Sequence, residues 1–399
     1  MALEWPLRFG SFISPIHAPD ENPTLAIHRD VALIQRMDDL GYDEAWMGEH
    51  HSTGWEYVGS PEVFLAYAAA RTTRIKLGTG VVSLPYHHPF NVAERAVLLD
   101  HLTRGRFILG VGPGALAYDA KLFGLRSSML RPMMEESLEA VMALLRGERI
   151  SRTTEGFTLV DAQLQLQPYS RPCFEVAVTC TVSPVGAKLA GRHGVSMLSL
   201  NATQTAGIGG LRANWEVAEE QAAKHGQSVD RRNWRMVGPM HVAETREQAR
   251  AEVAIGLARW IYYNTKVGTL GLVPETASTT EHYIDALIEG GFAVIGTPDD
   301  AAAQLERLWE ASGGFGTFLF WAHDWARREA TLRSYELFAQ QVIPRFQGQT
   351  ATLREAQAYA LRHRPVLAPQ ATEARRQASE QYAEERADER RLANIHAVG

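Results

Sequence analysis

Three ionisable residues, Glu49, His50 and His51, follow a short predicted strand, Asp43–Met47, after one glycine. An imidazole titrates near neutral pH, so histidine is the side chain used most often for proton transfer in enzymes. Neighbouring residues of an extended strand point to opposite faces, so only one of the two histidines can face into a site. We expect His50 to face inward as the candidate catalytic residue. A histidine with a purely structural role remains the alternative at this position.

Two more histidines, His87 and His88, occupy a later loop, which raises the question of a metal site. Metal sites generally require a supporting carboxylate or a third ligand. Glu49 is the only obvious carboxylate, and its side chain is expected to point away from His50. We therefore predict that no metal is bound.

The stretch 179–184 joins a predicted strand to a predicted helix. Ser183 is a favourable N-cap, and Pro184 suits the first helical position. The free backbone N–H groups of the helix start, with the hydroxyls of Thr179, Thr181 and Ser183, would suit a phosphate. Simple capping of the helix by Ser183 is the plainer alternative.

Glycines end the third and fourth predicted strands. Gly78 and Gly80 lie within a strand, where glycine usually marks a bulge or a close backbone approach, and they would leave room for a flat ring. We hypothesise cis or otherwise strained geometry at Thr79–Gly80. The stretch 110–114 lacks the GxGxxG spacing of a dinucleotide fingerprint, and Pro113 removes one N–H donor. Close packing against a ligand and a plain tight turn both remain open there.

Short apolar stretches alternate with amphipathic ones along most of the chain, a pattern typical of strands followed by helices. The eight predicted strands are Leu7–Ile13, Asp43–Met47, Ile75–Val82, Arg106–Val111, Phe174–Thr179, Val195–Leu200, Arg235–Ala243 and Phe318–Trp321. Eight strand–helix units in succession predict the α/β class and a (β/α)8 TIM barrel, whose active-site residues lie at the C-terminal ends of the strands.

The expected domains are a barrel over residues 1–345 and a C-terminal helical extension over 346–399. A hairpin is predicted at Arg149–Thr153 and Phe157–Val160. A stretch of about 266–300 interrupts the barrel before its last strand, and such interruptions often form a lid. The Glu- and Arg-rich residues 371–395 predict a solvent-exposed terminal helix or an arm that lies on a second subunit.

Composition excludes several classes of protein. The formal net charge of −6 argues against a nucleic-acid-binding surface, and no 18-residue apolar stretch predicts a membrane span. The N-terminal residues lack the pattern of a signal peptide. Extended chain would hold Cys173 and Cys180 roughly 20 Å apart, beyond the reach of a disulfide. Free thiols in a reducing cytosol follow, so we expect a cytoplasmic protein.

Taken together, these motifs resemble the bacterial luciferase-like flavin monooxygenases. The region 46–116 is most similar to limonene 1,2-monooxygenase-type members. The resemblance is near-continuous over about residues 7–200 and looser to about 345. The stretches that carry it are Glu49–His51, Leu77–Val82, Leu84–Pro89, Leu99–Arg106, Gly110–Gly114 and Ser183–Pro184.

The resemblance implies a barrel, usually dimeric, that binds FMN as FMNH2 and reacts with O2 through a C4a-hydroperoxide to oxygenate a small hydrophobic substrate. In many members a separate NAD(P)H:flavin reductase supplies the reduced flavin. By residue matching, His50 takes the place of the active-site histidine. The expected cofactor-binding residues are Glu49, Gly78, Thr79, Gly80, Gly112, Gly114, Tyr118, Thr179, Thr181, Val182 and Ser183.

Aromatic residues near the strand ends suit an apolar substrate better than a charged one, although a core aromatic is the plainer interpretation of Trp321. The expected substrate pocket consists of Phe12, Trp46, Trp55, Tyr86 and Trp321. Two departures from luciferase itself matter: Val178 replaces an acid, and Gly112 stands where luciferase has a reactive cysteine. Light emission is therefore not implied.

Two other functions stay open from the sequence. A deazaflavin (F420)-dependent oxidoreductase shares the barrel and the phosphate-binding helix start, and it would transfer hydride without consuming O2. A non-catalytic flavin-binding protein would keep the pocket but form no oxygenated product.

Overall fold

The computed structural model describes residues 3–14, 16–181, 183–200, 202–269 and 279–396 of the 399-residue chain. The strands within these residues are β1 (Arg8–Ile13), β2 (Glu44–Met47), β3 (Lys76–Thr79), β4 (Val82–Ser83), β5 (Phe107–Gly112), β6 (Ile150–Thr153), β7 (Thr158–Ala162), β8 (Glu175–Cys180), β9 (Ser196–Ser199), β10 (Arg235–Gly238), β11 (Met240–Val242), β12 (Val294–Gly296) and β13 (Thr317–Ala322).

The α-helices of the same residues are α1 (Pro23–Leu40), α2 (Pro61–Ala69), α3 (Pro89–Thr103), α4 (Ala117–Leu122), α5 (Ser127–Leu145), α6 (Val185–His193), α7 (Thr205–Lys224), α8 (Arg246–Tyr262), α9 (Thr280–Glu289), α10 (Pro298–Ser312), α11 (Arg328–Gln341), α12 (Ile343–Gln347) and α13 (Ala351–His396). None of them is long and apolar enough to cross a membrane.

Eight parallel strands close into a barrel in the order β3-β2-β1-β13-β10-β9-β8-β5, and pairing of β3 with β5 completes the ring. Helices follow the strands and surround the barrel, as successive parallel strands require a crossover connection. All eight predicted strands are present, and the predicted (β/α)8 barrel is confirmed. The predicted hairpin is also confirmed, since β6 and β7 pair antiparallel.

Two predicted strands are interrupted. The third divides into β3 and β4, and both segments pair with β5. The seventh divides at Pro239, which cannot donate to a strand ladder. After this proline β11 leaves the barrel and pairs in parallel with β12. The lid was expected over residues 266–300, and the end of this stretch forms β12 of a small second sheet and the start of α10. Residues 270–278 of the stretch lie outside the described residues.

A buried tryptophan explains the glycines of the barrel interior. Trp46 has no exposed surface and lies opposite Gly78 on the neighbouring strand. A Cβ atom on Gly78 would lie 2.4 Å from the Trp46 ring, and one on Gly110 would lie 2.7 Å from it. The space that the sequence suggested for a flat ligand ring at Gly78 is thus filled by an indole. Trp46 forms part of the barrel core, which corrects the expectation that it lines the substrate pocket.

The opposite end of the barrel holds a buried ion cluster. The Arg235 guanidinium donates to Glu44 at 2.7 and 2.9 Å and to Glu175 at 2.7 and 3.0 Å. Arg235 and Glu44 are completely buried. Because these residues lie near the N-terminal ends of the strands, their contribution is to stability rather than to the site.

The chain divides into two compact units, Met1–Gln347 and Gly348–Gly399. The second unit contains α13, a helix of 46 residues that starts well before the predicted one and has Pro365 and Pro369 in its interior. Arg376 forms ion pairs with Glu373 and Glu380 one turn away on either side. Such pairs favour an exposed helix.

Candidate active site

The histidine predicted to face inward lies at the end of β2 and is held by two carboxylates. Nδ1 of His50 is 3.1 Å from Oδ2 of Asp119, and Nε2 is 3.0 Å from Oε2 of Glu56. Both carboxylates are buried, and the His50 side chain is 16% exposed. His50 therefore lies in a polar position that is closed on two sides and still reaches the surface of the barrel mouth.

Asp119 belongs to α4, just after the glycine-rich end of β5. Besides His50, its carboxylate accepts hydrogen bonds from the Ser52 hydroxyl and from the backbone N–H of His51, the latter at 3.2 Å. All three donors come from the loop that follows β2. Asp119 consequently fixes this loop, and with it the position of the His50 ring.

Glu56 is held from another part of the chain. The Tyr263 hydroxyl donates to Oε1 of Glu56, and both residues are almost fully buried. Tyr263 begins a five-residue π-helix, Tyr263–Val267, at the end of α8. Short π-helical turns occur frequently at functional sites. The Trp55 ring lies 5.5 Å from the Tyr263 ring and closes this side.

The surrounding charges favour the protonated form of His50. Burial lowers the pKa of this histidine, but Glu56, Asp119 and the more distant Glu49 outweigh burial and raise the pKa above its ordinary value. Burial raises the pKa of Asp119, yet the hydrogen bonds from His50 and Ser52 lower it overall. The arrangement is an imidazole between two carboxylates, which favour its protonated form.

Glu49 binds one further histidine from each of two mouth loops. Its Oε1 lies 2.8 Å from Nε2 of His51 and 2.9 Å from Nε2 of His87, and its Oε2 accepts the Ser83 N–H at 2.9 Å. Glu49 thus ties two mouth loops together, and its expected contact with a cofactor stays a prediction. Within the part of the chain that the structure describes, no group of three His, Cys, Asp or Glu side chains is arranged to hold a metal.

The end of the third strand has unusual backbone geometry. The cis peptide bond lies between Gly80 and Val81, one residue later than the predicted Thr79–Gly80 position. The Thr79 hydroxyl donates to the carbonyl of Gly110 at 2.8 Å and accepts its N–H at 2.9 Å. A Cβ atom on Gly80 would lie 2.7 Å from the Phe12 ring. At the barrel mouth, Thr79 is therefore bound to β5, and Gly80 packs against the end of β1.

The predicted phosphate site lies two strands away on the same face of the barrel. Thr179 is near the end of β8, and a Cβ atom on Gly112 of β5 would lie 2.9 Å from its hydroxyl. Helix α6 starts at Val185 with Pro184 as its N-cap, so the prediction of Ser183 as N-cap is wrong by one residue. The Ser183 hydroxyl still accepts the Val185 N–H at 3.5 Å.

The other expected members of this group are placed as follows. The Thr181 carbonyl accepts a hydrogen bond from Asn214 at 2.9 Å, and the Thr181 side chain is exposed. Val182 lies outside the described residues. Gly114 adopts a left-handed conformation, with φ of +85°, against the Tyr86 hydroxyl. Tyr118 is half exposed beside a cavity of about 590 Å³ that Ser52, Thr53, Lys121, Leu122, Lys266 and Val267 also line.

The expected aromatic pocket residues separate into two groups. Phe12, Trp55 and Trp321 are nearly buried and belong to one apolar cluster at the ends of β1, β2 and β13. Tyr86 stacks on Phe123 at 4.6 Å, on the other side of the mouth. The structure therefore brings together one apolar wall, but Tyr86 is not part of it.

Comparison with known proteins agrees with this geometry. A family model described as luciferase-like monooxygenase matches residues 7–315.

The chain belongs to the luciferase-like monooxygenase family.

Among relatives of this luciferase-like monooxygenase, limonene 1,2-monooxygenase of Rhodococcus erythropolis is 52% identical over 85% of the chain and 87% of the relative. 4-Hydroxyprotoasukamycin monooxygenase of Streptomyces nodosus subsp. asukaensis is 45% identical over 86% of the chain and 93% of the relative.

Solved structures share the fold. Monooxygenase RslO1 from Streptomyces bottropensis has a TM-score of 0.75 at 22% identity, covering 85% of this chain and 100% of that one. The oxygenating constituent of 3,6-diketocamphane monooxygenase from Pseudomonas putida, solved with FMN, has a TM-score of 0.71 at 24% identity over 86% and 99% of the two chains. An F420-dependent secondary alcohol dehydrogenase has a TM-score of 0.63 at 17% identity over 84% and 98%.

Sequence reasoning missed three residues of the His50 cluster. Asp119 follows Tyr118 in the sequence, and an acid in the loop after a barrel strand is a recognisable signal. Glu56 follows the histidine pair at short range but shows no motif of its own. Tyr263 is 207 residues from Glu56 along the chain, so no local pattern connects the two.

Proposed function

We propose that this luciferase-like monooxygenase uses reduced FMN and O2 to insert one oxygen atom into a small hydrophobic substrate. The observation that carries the proposal is the position of His50, held between two buried carboxylates at the same barrel mouth as Thr79–Gly80 and the start of α6. The 52% identity to limonene 1,2-monooxygenase supports the reaction class.

The donors at the start of α6 fit the phosphate of FMN. Thr179 and Ser183 contribute hydroxyls, and the first turn of the helix contains no acidic residue that would repel an anion. Backbone N–H groups at a helix start attract negative charge. We assign phosphate binding to Thr179, Thr181, Ser183 and this helix start.

The other end of the mouth fits the ring system. When bound in its reduced form, the flavin supplies the activation of O2. Thr79 and Gly80 would support the ring, and His50, in the protonated form that its carboxylates favour, would lie beside it and hold a proton at the reacting centre. Trp55 and the wall formed by Phe12 and Trp321 would exclude water from the reacting centre.

A limonene-sized apolar molecule suits the wall formed by Phe12, Trp55 and Trp321. These side chains offer apolar ring surface, and the Trp321 N–H is already used by the Ser14 hydroxyl at 2.9 Å. Limonene is therefore the first substrate to test. The lid expected over residues 266–300 remains part of the proposal as a cover over the substrate.

Two partners complete the proposal. A separate NAD(P)H:flavin reductase would supply FMNH2 by diffusion. A second copy of the chain would cover the exposed apolar side chains that α1, α2 and α3 present, which are Leu25, Val63, Tyr67, Leu98 and Leu102. Light scattering tests the second copy. A dimer mass for the parent protein and a monomer mass for the double variant Val63→Glu/Leu98→Glu would support it; a monomeric parent protein would contradict it.

The unpaired Cys173 and Cys180 support a cytoplasmic location.

Cofactor choice is tested by titrating the pure protein with photoreduced FMN and with reduced F420 under argon, followed by oxygen-electrode measurements with limonene. We expect tighter binding of FMNH2 and O2 uptake that depends on limonene. Tighter binding of reduced F420 with no O2 uptake would instead assign the F420-dependent hydride transfer that shares this barrel.

A further inference from the structure

Both ring nitrogens of His50 are engaged by carboxylates in the structure. Nδ1 is within hydrogen-bond distance of Oδ2 of Asp119, at 3.1 Å, and Nε2 lies at ion-pair distance from Oε2 of Glu56, at 3.0 Å. Two carboxylates in these positions favour a proton on each ring nitrogen, and an imidazole in that form has no lone pair available. Such a ring can present a positive charge or release a proton, but it cannot act as a general base until it has lost one of the two protons.

The two carboxylates are anchored differently. Asp119 is bound by three donors from the loop that carries His50, so it moves with that loop. Glu56 is anchored by the Tyr263 hydroxyl, and its backbone pairs with Ile16 after β1. Glu56 therefore connects the His50 ring to the ends of β1 and of α8.

We propose that Glu56 and Tyr263 are positioning residues that fix the orientation of the His50 ring at the barrel mouth and keep the proton on its Nε2. The inference rests on the proposed function, in which His50 faces the reduced flavin. Neither residue needs to touch cofactor or substrate, because both act through the imidazole.

The surroundings of the ring support this role. The ionisable groups around it are Asp119 from α4, Glu56 from the loop after β2, Tyr263 from the π-helix and, farther away, Glu49 from the same strand end. Tyr263 in turn has a pKa raised by burial and by Glu56, so it stays a hydrogen-bond donor at neutral pH. A neutral donor that binds one Glu56 oxygen leaves the other oxygen for Nε2.

The test uses the flavin-free full-length protein and needs no turnover. Histidine side-chain ¹⁵N NMR reports the protonation of each ring nitrogen, and His50→Gln identifies the His50 signals. We expect both nitrogens of His50 to be protonated through neutral pH. Glu56→Gln should lower the pKa of His50 by about one unit or more, a tenfold change in the protonation equilibrium.

Tyr263→Phe removes only a hydroxyl and keeps the ring, so it tests the proposal even if Glu56→Gln does not fold. Without its second anchor, Glu56 should release Nε2 more often, and the Nε2 proton should exchange with water several-fold faster. Tyr262→Phe is the matched control, because Tyr262 is the preceding residue and is 55% exposed. It should leave the His50 signals unchanged.

An ordinary His50 pKa in the parent protein, or an Nε2 exchange rate unaffected by Tyr263→Phe, would overturn the positioning role. Neither result depends on flavin or oxygen. A protein that passes this test but forms no oxygenated product would instead contradict the proposed function, so the two failures are distinguishable.

Discussion

The carbonyl oxygen of Thr179 lies 2.1 Å from the position that a Cβ atom would take on Gly186. The end of β8 and the first turn of α6 therefore meet at a distance that only glycine permits. This contact holds the start of α6 against the end of β8, where we propose that the N–H groups of the helix start bind the FMN phosphate.

Gly186→Ala should weaken FMN binding by about tenfold, equivalent to ~1.4 kcal/mol, because the added methyl group forces α6 away from β8. Flavin fluorescence titration measures the change. Gly209→Ala in α7 is the control, since a Cβ there meets no atom within 4 Å. Alanine at that helical position should raise stability by up to about 1 kcal/mol and leave FMN affinity unchanged. Equal FMN affinity in both variants would contradict the placement of the phosphate.

His50→Gln should lower the amount of product formed per O2 consumed by about tenfold or more, because a neutral amide replaces the imidazolium at the reacting centre. Product and hydrogen peroxide are measured together after a single addition of reduced flavin. His225→Gln is the control, because the exposed His225 side chain bonds to the Gln221 carbonyl, one turn back in the same helix. Unchanged coupling in His50→Gln would remove this residue from the oxygenation step.

Arg235→Met should destabilise the barrel by about 3–5 kcal/mol, because Glu44 and Glu175 would remain buried without their shared cation. Urea unfolding at neutral pH measures the loss. Arg246→Met is the control. It removes the ion pair between Arg246 and Asp300, whose distance is similar, but the Arg246 side chain is 70% exposed. Exposed pairs contribute little, so the control should unfold with the parent protein. The prediction fails if both variants have the same midpoint.

Stability should fall on acidification because of Glu175. Burial raises its pKa, but Arg235 outweighs burial and lowers the pKa to about 2 from an ordinary value of 4.5. A depressed folded-state pKa means that the unfolded chain binds the proton first, so stability present above pH 4.5 is lost as the pH falls towards 2. Glu175→Gln should unfold more easily at pH 7 and lose less stability between pH 4.5 and 3. Glu289→Gln is the control, because Glu289 is exposed, and its loss of stability with falling pH should match that of the parent protein. Identical pH profiles of stability for all three proteins would contradict the role of Glu175.

The barrel could be predicted because each of its strands carries a local signal, namely a short apolar stretch followed by a helical pattern. The break of the seventh strand also had a local signal in Pro239, which was overlooked. No local sequence signal indicated where the Trp46 side chain lies. Its pairing with Gly78 depends on the register between two strands, so the sequence could not show that an indole fills the space that glycine leaves.

The candidate site divides in the same way. His50 and the stretch 179–184 were found because strand ends and helix starts have recognisable residues. The residues around His50 could not be found in the same way. Asp119 reaches His50, and Tyr263 reaches its neighbour Glu56, from distant elements that meet only in the closed barrel. Asp119 and Glu56 together raise the pKa of His50, and the chemistry that we assign depends on that shift.

Oxygenation itself is tested most directly with ¹⁸O2. The protein is supplied with chemically reduced FMN and limonene, and the product is analysed by mass spectrometry. We predict a product two mass units heavier than with ordinary oxygen, one labelled atom per molecule, and its loss in His50→Gln. Limonene recovered unchanged, or a product whose oxygen comes from water, would contradict a flavin-dependent monooxygenase acting on this substrate.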